Sequence, residues 1–313
     1  MAAKRRRVSP LQFCILLYGS LLAILDVLHF PYSTDPAGPA TGGTQASEDF
    51  YKQAYTTPVS LTKVEQEKED AYALKAKSSA DQQGIPDDVR NFVRQYHLEN
   101  KHVLEVGAGQ GYLQDVVDDY TGLDISPTAR RYFHKPFVAA SATAMPFKDG
   151  EFDAIWSIWV LEHIPNPESA LREMRRVVKP GGVIFLAPAW QCPPWAAQGY
   201  EVRPYSAFGI PGKIIKASIP MRSSFTFQFM YIMPVRFIRY AETRLGGPSA
   251  FHYRRLEPNY ETYWTYDADA VNSMDPYEAA LWFETRGDKC LNCTPGLKGI
   301  AATPGQLVLQ VTH

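Results

Sequence analysis

The stretch that most constrains this chain is "KHVLEVGAGQG", residues 101–111: an apolar run followed at once by glycines at 107, 109 and 111. Bare backbone straight after a strand lets the loop make a close approach that side chains would block. The pattern around it is regular. Ile85, Val89, Phe92, Val93 and Tyr96 share one helical face, with Pro86 at a helix start. "HVLEV" reads as a strand, then come the loop and a short helix through Val116 and Val117. "TGLDI" is the next strand, followed by a helix from Pro127, and "PFVAA" and "FDAIWSIWV" are the third and fourth. Pro167 opens a helix whose Ala170, Leu171, Met174, Val177 and Val178 make one apolar stripe. "KPGG" ends it, and "VIFLAPA" is the fifth strand. Short apolar strands alternating with helices predict a parallel sheet covered on both faces. Ligands of such sheets bind outside the carboxyl ends of the strands.

The glycine spacing narrows the ligand. A dinucleotide fingerprint reads G-x-G-x-x-G beside a pyrophosphate. Here the order is E-x-G-x-G-x-G, with Glu105 two residues ahead of Gly107. Asp124 ends the second strand, where a carboxylate can accept hydrogen bonds from ribose hydroxyls. A dehydrogenase is therefore disfavoured.

"VLEVGAGQG", "GLDIS", "ATAMPF" and "FDAIWSIWVLEHIPNPESALREMRRVVKPGG" together resemble the successive motifs of class I S-adenosylmethionine-dependent methyltransferases, in their type 11 branch. The resemblance covers roughly residues 85–190. It implies a Rossmann-like α/β fold: a seven-stranded sheet with helices on both faces, the last strand antiparallel. It also implies S-adenosyl-L-methionine as cofactor. Gly107, Gly109 and Gly111 would pack against its methionine part, and Glu105 would neutralise the amino group. Asp124 would grip the ribose, with Ile125, Ser141 and Ala142 around the adenine and Trp159 lining the cleft. Two departures stand out. Ser141, in "ASATAMPF", occupies a position that is usually acidic in the family. "LEHIPNP" is similar to the ubiquinone-pathway O-methyltransferases, yet Trp159 replaces a Glu that can join a metal site there, so no metal is expected.

Methyl transfer is an in-line displacement, dominated by positioning and desolvation. A base is needed only where the acceptor must lose a proton. His163, after the fourth strand, is the candidate catalytic base for an oxygen acceptor. The alternative is that Glu162 and His163 only hold the loop and line the pocket. Residues 191–266 read as an inserted cap, rich in aromatic and basic side chains. Its segment 211–245 suggests amphipathic helices over a membrane or an apolar substrate, or a cap with its own small core. Arg203 and Tyr205 are the substrate-side candidates. Asp267 and Asp269, in "TYDADA", read as a helix-start cap, with a substrate role as the alternative. "DPYEAALWFETRG" is a helix, and "KCLNC" and "GQLVLQVTH" are the final strands.

The beginning of the chain raises a different question. Lys4–Arg7 precede an apolar run from Leu11 to Phe30, interrupted by Asp26. This predicts a single-pass anchor through residues 11–30, with a cleaved signal segment as the alternative. Charge bias would put the body across the membrane from the cytoplasm, where S-adenosylmethionine is made. The domains expected are 1–30 anchor, 31–47 flexible linker, 48–84 helical region, 85–190 cofactor core, 191–266 cap and 267–313 final helix and strands. A net charge of −1 gives no pull toward nucleic acid. Cys290 and Cys293 form one C-x-x-C, half of a tetrahedral zinc site at most, and read as ordinary cysteines at a strand edge or as a redox pair. The expected activity is methyl transfer to a small-molecule or lipid-like acceptor. The alternative is an inactive methyltransferase-fold binding or scaffold protein at a membrane.

Overall fold

The computed structural model describes residues 9–29, 49–51, 77–246, 248–260 and 267–312. The basic cluster at 4–7, the linker at 31–47 and most of the region 48–84 lie outside the described residues. Helix α1 (Pro10–His29) covers the N-terminal apolar run. Helix α2 (Ile85–Tyr96) leads into the sheet strands β1 (Val103–Val106), β2 (Tyr120–Asp124), β3 (Phe137–Ala139) and β4 (Phe152–Ile158). Helix α3 (Pro167–Val177) and strand β5 (Val178–Ala187) follow. The cap contributes α4 (Ile210–Arg222), α5 (Phe225–Leu245) and a two-stranded sheet of β6 (Tyr253–Arg255) and β7 (Asn272–Met274). Helix α6 (Pro276–Glu284), β8 (Lys289–Cys290), α7 (Leu297–Ala301) and β9 (Leu307–Gln310) complete the chain.

The strand order is β3-β2-β1-β4-β5-β9-β8. The first five pair in parallel, and β9 runs antiparallel to β5 and β8. The order reverses between β1 and β4, which opens a crevice at their carboxyl ends. The pleat sorts side chains by parity. Leu104, Val106, Ile155, Ile184 and Leu186 bury against Ala170, Leu171 and Met174 of α3 and Trp282 and Phe283 of α6. Val103, Ala154, Trp156 and Phe185 bury on the other face against Val89, Phe92 and Val93 of α2. Asn166 caps α3 by accepting from the Ser169 amide at 3.2 Å, and Arg175 ties that helix to Asp288 at 2.6 Å.

Four expectations need correction. No helix among the described residues is long and apolar enough to cross a membrane, which overturns the single-pass anchor. The charge-free apolar part of α1, Phe13 to Leu25, rises about 20 Å, short of the roughly 30 Å hydrocarbon core. The topology argument built on that anchor falls with it. The helix expected through Val116 and Val117 is a run of turns, held by short-range bonds such as Val116 amide to Leu113 carbonyl at 3.1 Å. Three Asp residues at 115, 118 and 119 compete there for the backbone. The helix expected from Pro127 is a single 3₁₀ segment, Pro127–Tyr132. Finally, Cys290 and Cys293 are joined in a disulfide.

Candidate active site

The site is assembled at the carboxyl edge of β1, β2 and β4. Gly107, Gly109 and Gly111 all have positive φ, 76°, 49° and 70°. At Gly107 the space is closed as well, because an added Cβ would lie 2.1 Å from a Val160 methyl. The Gly109 amide donates to Asp124 Oδ2 at 2.8 Å, and the Ser126 amide donates to Asp124 Oδ1 at 2.9 Å. One carboxylate thus clamps the glycine loop to the end of β2. Burial raises its pKa, against those two backbone bonds.

Glu105 lies on the α2 face of β1, paired with Gly122 on one side and Trp156 on the other. Its carboxyl is 7% exposed and accepts a hydrogen bond from the Tyr120 hydroxyl. Burial pushes its pKa up to about 8. Ile125 is half-buried beside Asp124. The end of β3 lies next to Asp124, with the Ala140 amide donating to the Asp124 carbonyl at 2.9 Å. Ser141 shares a 2.9 Å hydrogen bond with Thr143, and Ala142 is buried. Trp159 takes a left-handed conformation, φ 54°, as the chain leaves β4, and its amide donates to the Ala187 carbonyl at 3.0 Å.

A single 3₁₀ turn, Leu161–His163, carries the candidate base. The imidazole Nδ1 of His163 is 3.7 Å from Asp269 Oδ2, and its Nε2 is 3.8 Å from Glu162 Oε1. Burial alone would lower the pKa of His163, but Asp269, Glu162 and Asp267 outweigh it and raise the value. Glu162 is 1% exposed, and burial pushes its carboxyl up to about 7. Its Oε1 accepts from the Ala189 amide at 3.1 Å, while Oε2 has no hydrogen-bond partner. Tyr51 closes the cluster: its hydroxyl donates to Asp269 Oδ2 at 2.6 Å, and its ring centroid is 5.2 Å from that of His163.

Tyr51 is the member that sequence reasoning missed, and Asp267 and Asp269 are placed beside His163 where a helix cap was the first expectation. The helix cap expected at Asp267 and Asp269 is Asp275, which accepts from the Tyr277 amide at 2.8 Å. The 267–274 segment reaches the site by strand-like bonds instead. The Val271 amide donates to the Glu162 carbonyl at 2.9 Å, and the Asn272 side chain donates to the Ile164 carbonyl at 2.5 Å. The substrate-side candidates are engaged within the cap. Arg203 donates to the Gln198 carbonyl at 3.2 Å and lies over the Phe208 ring, while Tyr205 is exposed beneath Lys216.

Residues 104–186 match a family model described as "Methyltransferase domain". The chain is similar to the sterol 4-C-methyltransferase of Caenorhabditis elegans, 35% identical over 103 residues, covering 28% of this chain and 31% of that protein. It is also similar to the ubiquinone biosynthesis O-methyltransferase of Dechloromonas aromatica (strain RCB), 36% identical over 107 residues, covering 29% and 45%. This chain spans less than half the length of either relative. Among solved structures, a Pyrococcus horikoshii OT3 protein is 24% identical over 34% of this chain and 54% of its own, at TM-score 0.31. The glycine loop, the strand order and the family match agree that residues 104–186 are similar to the methyltransferase domain of the class I S-adenosylmethionine-dependent methyltransferases.

Proposed function

We propose that the chain transfers a methyl group from S-adenosylmethionine to a small, largely apolar acceptor, with His163 serving an oxygen nucleophile. The observation that carries this reading is the placement of His163 and its carboxylates at the same strand edge as the glycine loop. The residues fit the cofactor's chemistry. Positive φ at Gly107, Gly109 and Gly111 gives the loop a backbone course beside which the methionine part can lie, and Glu105 offers an acid for its amino group. Asp124 retains lone pairs for ribose hydroxyls beyond the two amides it already accepts. Ser141 offers a hydroxyl, not a charge, toward the adenine. The chemistry supplied by the bound cofactor is an activated methyl group on a sulfonium.

The chain's own part is to bind, to exclude water and to hold a proton. Asp269 lies 3.7 Å from Nδ1 and Glu162 lies 3.8 Å from Nε2, so the two carboxylates favour the protonated imidazole that proton acceptance would produce. The raised pKa moves to higher pH the range in which His163 is neutral and able to accept a proton. Relatives named for sterol, ubiquinone and demethylmenaquinone chemistry support an apolar acceptor. Ser141 at a usually acidic position is the one feature favouring the second reading, a methyltransferase fold without turnover.

Calorimetric titration with S-adenosylmethionine, followed by labelled-methyl transfer to a panel of phenols, quinols and sterols, tests the proposal. Binding with transfer to at least one hydroxyl is expected. No binding at millimolar cofactor would refute the enzyme reading.

A further inference from the structure

Arg222 ends helix α4 with its side chain 1% exposed, and it is among the largest fully buried side chains in the protein. None of its three guanidinium nitrogens has a hydrogen-bond partner among the described residues. The other well-covered arginines behave differently. Arg236 donates to Asp275 at 3.0 Å and to the Ile300 carbonyl at 2.7 Å. Arg239 meets Glu278 at 2.8 Å, and Arg175 meets Asp288 at 2.6 Å. The fold therefore supplies a carboxylate wherever a guanidinium is structural. An unpaired buried charge is among the most costly arrangements a protein can hold. Buried polar groups are otherwise almost always satisfied, so one left open calls for a missing partner.

The Trp195 ring centroid lies 5.6 Å from the guanidinium carbon, a cation–π contact that uses none of the N–H donors. Those donors form a fork that suits a planar carboxylate or a phosphate. Burial pushes the pKa of Arg222 down to about 10, still cationic at neutral pH.

The position links this group to the transfer site. Trp195 opens the 3₁₀ turn Ala196–Gln198, in the segment leaving the carboxyl end of β5. The Ala197 carbonyl accepts from the Asn259 side chain at 3.0 Å. The Asn259 amide donates to the Ala268 carbonyl at 2.8 Å, and the next residue, Asp269, faces His163. A run of contacts and chain neighbours through Trp195, Ala197, Asn259 and Ala268 thus connects Arg222 to the segment that carries Asp269.

We propose that Arg222 anchors an anion subsite in the cap, which takes a carboxylate or phosphate carried by the methyl acceptor. The word acceptor rests on the methyltransferase reading, whereas the anion subsite stands on Arg222 itself. The acceptor is then an amphipathic anion whose apolar body runs from Trp195 toward His163.

The full chain is titrated with benzoate, with phenyl phosphate and with benzamide, the neutral counterpart of benzoate. Melting temperature and tryptophan emission are read for each. Benzoate or phenyl phosphate is expected to raise Tm by about 3 °C near tenfold saturation, and benzamide to leave it unchanged. The anion with the larger effect identifies the acceptor's group. Arg222→Met should abolish the response, keep S-adenosylmethionine binding, and raise Tm of the ligand-free protein by removing an unpaired buried charge. Trp195→Phe should keep the Tm response and lose the emission change. A response to benzamide equal to that of benzoate, or an Arg222→Met response like the wild type's, would overturn the proposal. So would an Arg222→Met protein that melts lower or fails to fold while the wild type ignores both anions, because the guanidinium would then be structural. Anion binding without cofactor binding would keep the subsite and sink the methyltransferase reading. Cofactor binding without an anion response would do the reverse.

Discussion

Replacing Glu105 by Gln is expected to stabilise the ligand-free protein at neutral pH and to abolish cofactor binding. Glu105 is buried on β1, and burial raises its carboxyl from the ordinary 4.5 to about 8. The unfolded chain releases this proton near 4.5 and the folded chain near 8. Between those values the folded state holds one proton more, so stability falls as pH rises, by about 1.4 kcal/mol per pH unit. Carried across the whole interval, this is at most about 5 kcal/mol, and about 3 kcal/mol by pH 7. Gln has no such titration and keeps an acceptor oxygen for the Tyr120 hydroxyl. Denaturant melts of both proteins at pH 5, 6, 7 and 8 give the difference directly. Glu162, raised to about 7, adds the same pH dependence to both proteins and cancels. The variant's advantage should be near zero at pH 5 and grow steadily toward pH 8. A flat difference, or an advantage that shrinks with pH, would refute the argument that burial keeps Glu105 protonated.

Three further outcomes follow from the loop and the histidine cluster. Gly107→Ala adds a Cβ 2.1 Å from Val160 at φ 76° and should cost about 2–3 kcal/mol in a chemical melt. The double variant Gly107→Ala, Val160→Ala should regain the part due to the clash, and no loss in the single variant would contradict the geometry. Gly109→Val, at φ 49°, should leave the sheet's circular dichroism intact and remove cofactor binding in calorimetry; retained binding would mean the loop does not face the cofactor. Asp269→Asn removes a carboxylate that raises the pKa of His163. The acidic limb of the pH–rate profile should move to lower pH, and an unmoved limb would rule out His163 as the titrating base.

The clustering of the proposed cofactor residues was legible because it is local. Glu105, the glycines and Asp124 belong to two adjacent strands and one loop, and strand periodicity fixes their order. The parallel strands were legible for the same reason, whereas the antiparallel last strand was implied only by the family resemblance. The acceptor half was not legible. Asp269 lies more than 100 residues from His163, and Tyr51 lies as far away on the other side. No periodicity announces that "TYDADA" will cross the 161–163 turn. An Asp before a helix also reads as a cap until a later one, Asp275, is seen to take that role. The turns at 112–119 failed for a different reason. Tertiary context supplied only short-range backbone bonds to a segment whose Asp residues resist helix formation.

The same division bears on what the relatives can say. The family match ends at residue 186, and the similarities to the sterol and ubiquinone relatives cover 28% and 29% of this chain. His163 and Glu162 lie inside that shared stretch. Asp269, Trp195 and Arg222 lie beyond it, in segments the family match leaves out. A shared stretch that holds the glycine loop constrains how a methyl group is delivered. It does not constrain what receives the group, because the walls of the receiving space come from other residues. The acceptors in the relatives' names therefore set an expectation of apolar bulk only. Under the proposal above, the guanidinium of Arg222, which has no hydrogen-bond partner among the described residues, is the feature that would select a negatively charged acceptor.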